Sequence, residues 1–190
     1  FLPPYNPQYY LTPTNPLTFG AMVGPERYME TRYLIQETME KVKAKIEKTA
    51  NEFKEKFGRY YGGLIEKYQA GDAETLLVGM GSIVGTMRDA VDRLRKQGKK
   101  VGIVKVRTFR PFPKEKLYEA LKGVKNVIVF EKAISLGEGG ILCSEIKSLF
   151  DAKSKNSPGN LSNFIIGLGG RDITQNSILG AIEQVEKQPI

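Results

Sequence analysis

Histidine is absent from the 190 residues, tryptophan is absent too, and cysteine occurs once, as Cys143. One thiol and no imidazole exclude a Cys/His zinc site, an iron–sulfur cluster held by this chain alone, and an intrachain disulfide. The same absence removes the commonest general base, and with it Ser-His-Asp and Cys-His arrangements. The chemistry this protein serves is therefore not expected to be performed by this chain alone, and neither catalytic nor metal-ligating residues are assigned. No run of about 18 apolar residues occurs, which excludes a membrane-spanning helix, and no basic start followed by a hydrophobic run suggests a signal peptide. A cytoplasmic protein is expected.

What is present is a basic, core-forming chain. Lys plus Arg number 29 against 21 acids, a formal +8, a balance that suits nucleic acid, an anionic cofactor or an acidic partner subunit. The interspersed acids and missing tryptophan argue against nucleic acid. A chain of this size buries about 70% of its extended surface on folding, enough for a sizeable core. It begins with FLPPYNPQYY rather than Met, which leads to the expectation of a processed chain or the later portion of a longer polypeptide.

Residues 1–25 hold Pro3, Pro4, Pro7, Pro13, Pro16 and Pro25 among Tyr5, Tyr9, Tyr10, Leu11, Leu17 and Phe19. Prolines fix φ and remove donors, so regular helix or central strand is excluded. The stretch is too apolar for a solvated linker and is expected to be an extended interdomain arm lying on another surface. A helical extension, residues 26–72, follows. From Ile35 through Met39, Val42, Ile46, Ala50, Phe53 and Phe57 the apolar steps are 4, 3, 4, 4, 3 and 4, one face of a helix of about 30 residues. Its lysines and glutamates are expected to form a solvated face. Leu64, Ile65 and Tyr68 supply a short amphipathic piece.

Residues 73–190 alternate strand and helix. Strands are expected at 75–80 (TLLVGM), 101–108, 124–130 and 163–168 (NFIIGL), with helices from Ile83, Pro113 and Gly139 and a last one capped by Thr174. A loop from Asp151 to Asn160 precedes the last strand. The alternation argues an α/β fold, a mostly parallel doubly wound sheet covered on both faces, preceded by the long helix and the Pro/Tyr arm. In such sheets ligands sit beyond the carboxyl ends of the strands. Here those ends are Gly79 to Ser82, Arg107 to Phe112, Glu131 to Gly140 and Gly167 to Asp172.

The glycines of VGMGSIVG do not complete a dinucleotide fingerprint, and tight backbone packing explains them better. Arg107 and Arg110, set among Phe109, Pro111, Phe112 and Pro113, suit bidentate pairing with an anion or an interface, and Arg110 pairing Glu131 is the plainest alternative. Glu131 and Lys132 at a strand end, Gly139 and Gly140 opening a helix, and Arg171 in a glycine-rich loop complete the candidate interface or anion-contact residues. Cys143 fits an inert buried thiol.

The stretches TFGAMVGPERYMETRY, LLVGMGSIVGTMRDAVDRLRKQGKKVGIVKVRTFRPFP, VIVFEKAISLGEGGILCSEI and GLGGRDIT together resemble the C-terminal half of the alpha subunit of the pyruvate:ferredoxin and related 2-oxoacid:ferredoxin oxidoreductases. The part from Glu74 onward is also similar to the transketolase C-terminal domain. The resemblance implies a multi-subunit enzyme that converts pyruvate, coenzyme A and oxidised ferredoxin to acetyl-CoA, CO2 and reduced ferredoxin. It implies thiamine diphosphate, Mg2+ and [4Fe–4S] clusters in the whole complex and none in this segment. Its implied partners are an N-terminal thiamine-binding domain of the same alpha chain and beta, gamma and delta subunits. This segment would then be a non-catalytic assembly region. An independent anion- or nucleotide-binding module and a subunit of another 2-oxoacid:ferredoxin oxidoreductase are the alternatives.

Overall fold

The computed structural model describes residues 2–20, 22–150 and 155–187. Phe1 and Ala21 of the arm, the first four residues of the Asp151 to Asn160 loop and the last three residues of the chain lie outside them. The chain divides into two units, Phe1–Thr38 and Met39–Ile190.

In the first unit the described arm contains neither helix nor strand beyond an isolated bridge between Thr12 and Asn15, as its prolines require. Tyr5, Tyr9, Leu11 and Met22 are exposed. Helix α1 (Pro25–Phe57) begins here with proline in its first turn, where the missing N–H costs no hydrogen bond. Thr31 and Thr38 return their hydroxyls to the carbonyls of Arg27 and Leu34 at 2.9 and 2.8 Å. The apolar stripe is present along α1, yet none of its residues is buried.

The second unit holds the rest of α1 and a five-stranded sheet. Its elements are β1 (Ile65–Tyr68), β2 (Thr75–Met80), α2 (Ile83–Lys96), β3 (Val101–Val106), α3 (Lys114–Leu121), β4 (Asn126–Glu131), α4 (Ile141–Lys147), β5 (Asn160–Ile165) and α5 (Gln175–Glu186). The strand order is β1-β3-β2-β4-β5. The pairs β3–β2, β2–β4 and β4–β5 are parallel, and β1 lies antiparallel on β3.

Alternation along the strands builds two cores. Leu77, Ile103, Ile128 and Phe130 face α2 and α5 through Met87, Val91, Ile178 and Ile182. Leu76, Val78, Val104, Val127 and Val129 face α3 and α4 through Leu117, Leu121, Leu142 and Ile146. Burial on both faces explains why these strands read as continuous apolar runs.

The strands expected at 101–108 and 124–130 run over Val101–Val106 and Asn126–Glu131, and two other elements differ further from the sequence reading. The piece from Leu64 to Tyr68 is an edge strand: with four residues it is too short to show a period, and its pairing to β3 is antiparallel. The last strand runs over Asn160–Ile165 rather than 163–168, because β4 fixes its register, Asn126 opposite Asn160 and Glu131 opposite Ile165. The polar residues Asn160, Ser162 and Asn163 therefore sit inside an edge strand, where half-exposure tolerates them. The last helix starts as its cap requires: the Thr174 hydroxyl accepts the Ser177 N–H at 3.2 Å, and the Ser177 hydroxyl accepts the Thr174 N–H at 3.0 Å. No helix among the described residues is long and apolar enough to cross a membrane.

Candidate functional site

The strand order reverses at β2, whose successors in the chain lie on opposite sides of it. Such a switch point opens a crevice at the carboxyl edge of a parallel sheet. A cleft of about 420 Å³ occupies it, lined by Met80, Gly81 and Ser82 from the end of β2, Phe109, Glu131 and Lys132. Gly81 makes the strand-to-helix turn with φ +69°, a conformation that Cβ disfavours. Gly79 lets the Met87 sulfur approach, a Cβ there lying 3.1 Å from it, whereas Gly85 faces open space. Packing therefore explains Gly79 and the turn conformation explains Gly81, while neither applies to Gly85.

Glu131 dominates the edge and is buried, 7% exposed. One carboxylate oxygen accepts the Leu142 N–H at 2.8 Å, and the other accepts the Cys143 N–H at 3.1 Å and the Asn163 amide at 2.8 Å. The Asn163 oxygen in turn accepts the Gly140 N–H at 3.1 Å. Glu131 thus caps α4 from outside the helix, satisfies amides the helix cannot satisfy itself and complements the positive end of its dipole. Close approach is required at Gly140, where a Cβ would lie 1.8 Å from the Glu131 carboxylate. These three donors fix the position of the Glu131 carboxylate.

The arginines are also engaged. Arg110 pairs Glu145 of α4, not Glu131 as the sequence alternative had it, and donates to the Phe109 carbonyl at 2.9 Å. Its guanidinium lies 4.3 Å from the Phe109 ring centroid. Glu131 is unavailable because the α4 amides claim it, and Glu145, one turn into α4, is the carboxylate left within reach. Arg107 donates to the carbonyls of Tyr61 and Gly62, holding the segment that enters β1; Glu47 of α1 fastens the same segment through the Leu64 N–H at 3.1 Å. Phe112 is 5% exposed and belongs to the core facing α3 and α4. Lys132 and Arg171 are exposed, and Gly139 closes a tight turn by accepting the Ser135 N–H and donating to the Ser135 carbonyl.

The structure therefore gathers Glu131, Gly139, Gly140 and Lys132 around one junction, and places Arg107, Phe112 and Arg171 in separate roles. The roles of Asn163, Glu145 and Glu47 were not read from the sequence, which put Asn163 at the start of the last strand and Glu47 on the solvated face of α1, where it instead binds the Leu64 N–H. An asparagine inside an apolar strand signals the first, and nothing in spacing marks the other two.

Burial raises the Cys143 thiol to about 11, with Lys147 opposing and the Glu131 carboxylate adding to the rise. A thiol raised above its unfolded value favours folding below the unfolded pKa, and that contribution is lost as pH rises through about 11. At pH 8 the thiolate fraction is about a hundredfold below that of a free thiol. Alkylation of the native chain by iodoacetamide is expected to be slower by about that factor and to accelerate in denaturant. Equal rates in both states would contradict the burial.

Residues 73–178 match the family described as pyruvate:ferredoxin oxidoreductase core domain II. The chain is 47% identical over 188 residues to the pyruvate synthase subunit PorA of Methanosarcina barkeri, covering 98% of this chain and 46% of the relative. It is 45% identical over 190 residues to PorA of Methanocaldococcus jannaschii, covering 98% and 47%. To the ketoisovalerate oxidoreductase subunit VorA of Pyrococcus abyssi it is 42% identical over 189 residues, again covering 98% and 47%. The chain belongs to the pyruvate:ferredoxin oxidoreductase family. It spans about half the length of the relatives it matches.

The residues present do not fit the metal groups of that family. Among the described residues no three His, Cys, Asp or Glu side chains gather where a metal could be held. Cys143 is a single buried protonated thiol, where a cluster needs several thiolates.

Proposed function

We propose that this chain is a non-catalytic assembly region of the alpha subunit of a pyruvate:ferredoxin oxidoreductase. The observation that carries the reading is the commitment of Glu131. Among the described residues, the buried carboxylate at the crevice is Glu131, and it is engaged in capping α4 and holding Asn163. Reaction chemistry then falls to thiamine diphosphate, Mg2+ and iron–sulfur clusters held elsewhere in the complex, with coenzyme A and ferredoxin as co-substrates. The segment's partners are a thiamine-binding domain of the same alpha chain and beta, gamma and delta subunits. The assembly surface includes the arm and the loop from Arg107 to Pro113, in a cytoplasmic enzyme.

Pyruvate is favoured by the 47% identity to a pyruvate synthase subunit. The 42% identity to a ketoisovalerate oxidoreductase subunit supports a second reading, a branched 2-oxoacid in the same reaction. An independent anion module is less well supported, since the α4 amides best placed to receive an anion already hold Glu131.

Metal and thiamine analysis of the purified 190-residue chain tests the assignment. Less than a tenth of an equivalent of iron, zinc or thiamine diphosphate is expected after incubation with each. Retention near one equivalent would overturn the reading.

A further inference from the structure

The outer strands of the sheet, β1 and β5, each pair with one neighbour. An edge of this kind offers its free main-chain groups to another strand, and proteins protect such edges with short length, charge or proline. β1 carries that protection, being four residues long with Glu66 and Lys67 among them. β5 has none of it. Its six residues, NLSNFI, include no charge and no proline, and all are half-buried.

The ladder to β4 decides which groups of β5 are free. The N–H groups of Asn160 and Ile166 donate to the carbonyls of Lys125 and Glu131 at 2.9 and 3.0 Å, and the register between those ends is unbroken. Parallel pairing repeats every second residue, so Asn160, Ser162 and Phe164 bond β4, while the N–H and C=O groups of Leu161, Asn163 and Ile165 point away from the sheet. Among the described residues no strand takes them up. The polar side chains of β5 are already paired within the chain. The Asn163 amide donates to Glu131 at 2.8 Å and its oxygen accepts the Gly140 N–H at 3.1 Å, and the Ser162 hydroxyl donates to the Asn160 side-chain oxygen at 3.2 Å. What this edge leaves open is its main chain.

We propose that β5 pairs antiparallel with β5 of a second copy of this chain, about a two-fold axis through Asn163, so that two five-stranded sheets become one. In an antiparallel ladder the residues that exchange hydrogen bonds lie directly opposite each other. With Asn163 opposite its own copy, Leu161 stands opposite Ile165, and each outward N–H meets an outward carbonyl. The side chains agree with that register. Leu161 packs against the core facing α3 and α4, and Ile165 lies on the same face by alternation, so the pairing makes apolar cross-strand contacts there. On the other face Ser162 meets Phe164, and no charges oppose one another because β5 holds none. Such a contact is isologous and closes at two copies, leaving the charged β1 strands as the outer edges. The arm is a poorer ladder partner, since Pro3, Pro4, Pro7, Pro13 and Pro16 lack the N–H it requires. The inference goes beyond the assembly reading, because it concerns two copies of this chain and holds whichever 2-oxoacid the enzyme uses.

Sedimentation velocity of the 190-residue chain from about 1 to 300 μM tests the pairing, since self-association is concentration-dependent. A species of twice the 21.2 kDa monomer mass is expected to grow with concentration. Leu161→Lys alone and Ile165→Glu alone should each weaken association at least about tenfold, by placing an unpaired charge against an apolar side chain of the other copy. An equimolar mixture of the two variants sets Lys opposite Glu at one end and keeps the Leu161–Ile165 pair at the other, and should restore association to within about threefold of the unmodified chain. Amide hydrogen exchange of the unmodified chain keeps the test decisive if a variant unfolds. The Leu161, Asn163 and Ile165 N–H groups should exchange faster than those of Ser162 and Phe164 in dilute solution and slow as the chain is concentrated. A monomer throughout, exchange at those amides that ignores concentration, or a mixture no tighter than the single variants would each overturn the proposal. Normal dimerisation of both single variants would also overturn it, by placing the contact between copies elsewhere.

Discussion

Gly140→Ala is expected to cost about 3 kcal/mol of stability, although Gly140 has an ordinary backbone conformation and its methyl group is the smallest possible addition. The added Cβ would fall 1.8 Å from one oxygen of Glu131 and 2.5 Å from the Asn163 side-chain oxygen. Neither group is free to withdraw. Moving the Glu131 carboxylate strands the N–H groups of Leu142 and Cys143, both buried, and each unsatisfied donor costs about 1–3 kcal/mol. Glu131→Ala removes the same cap from the other side and is expected to cost a similar amount. The two changes act on one set of hydrogen bonds, so the double variant should lose scarcely more than either single one. Urea titration of the four proteins measures this; additive losses would show that Gly140 and Glu131 act separately and that the junction is misassigned.

Phe112→Ala is expected to destabilise the fold by about 3–4 kcal/mol, the usual cost of deleting a buried aromatic ring. The ring is 5% exposed, in the core facing α3 and α4, with the Phe109 ring edge-on to it at 6.0 Å. Arg110→Ala should behave differently. Arg110 is exposed and its pair with Glu145 is solvated, so its loss should cost less than about 1 kcal/mol of stability. Under the assembly reading the planar cation and the Phe109 ring beneath it form part of the contact with partner chains. Arg110→Ala should therefore reduce recovery of partner chains in a co-expression pull-down while leaving the melting temperature of this chain nearly unchanged. Phe112→Ala should lower both. Normal assembly of Arg110→Ala with a selective rise in KM for coenzyme A would make the loop a ligand site.

The sheet was legible because its strands are buried on both faces and announce themselves as apolar runs between amphipathic helices. The Thr174 cap was legible because its partner, Ser177, is three residues away. β1 was not, being four residues long and held by partners distant in the chain: β3, Glu47 and Arg107. Polar residues hid the start of β5, since the register that places Asn160 opposite Asn126 is a property of β4 rather than of β5 itself. At the crevice the sequence singled out Glu131, Gly139 and Gly140 as neighbours of a helix start. It did not reveal that Glu131 reaches forward to cap that helix, because a cap supplied from ten or more residues away leaves no local spacing. Phe112 and Arg110 share a loop of aromatic and basic residues, and only the fold separates the ring that points into the core from the cation that stays outside.

Reconstitution of pyruvate-dependent dye reduction tests the central assignment most directly. The purified 190-residue chain is assayed with coenzyme A, thiamine diphosphate and Mg2+, first alone and then after co-expression with the thiamine-binding domain and the other subunits of the enzyme. Assembly without catalysis predicts no reduction by the chain alone and full activity in the complex that a tag on this chain recovers. Turnover of pyruvate by the chain alone, or an active complex that assembles without it, would contradict the account.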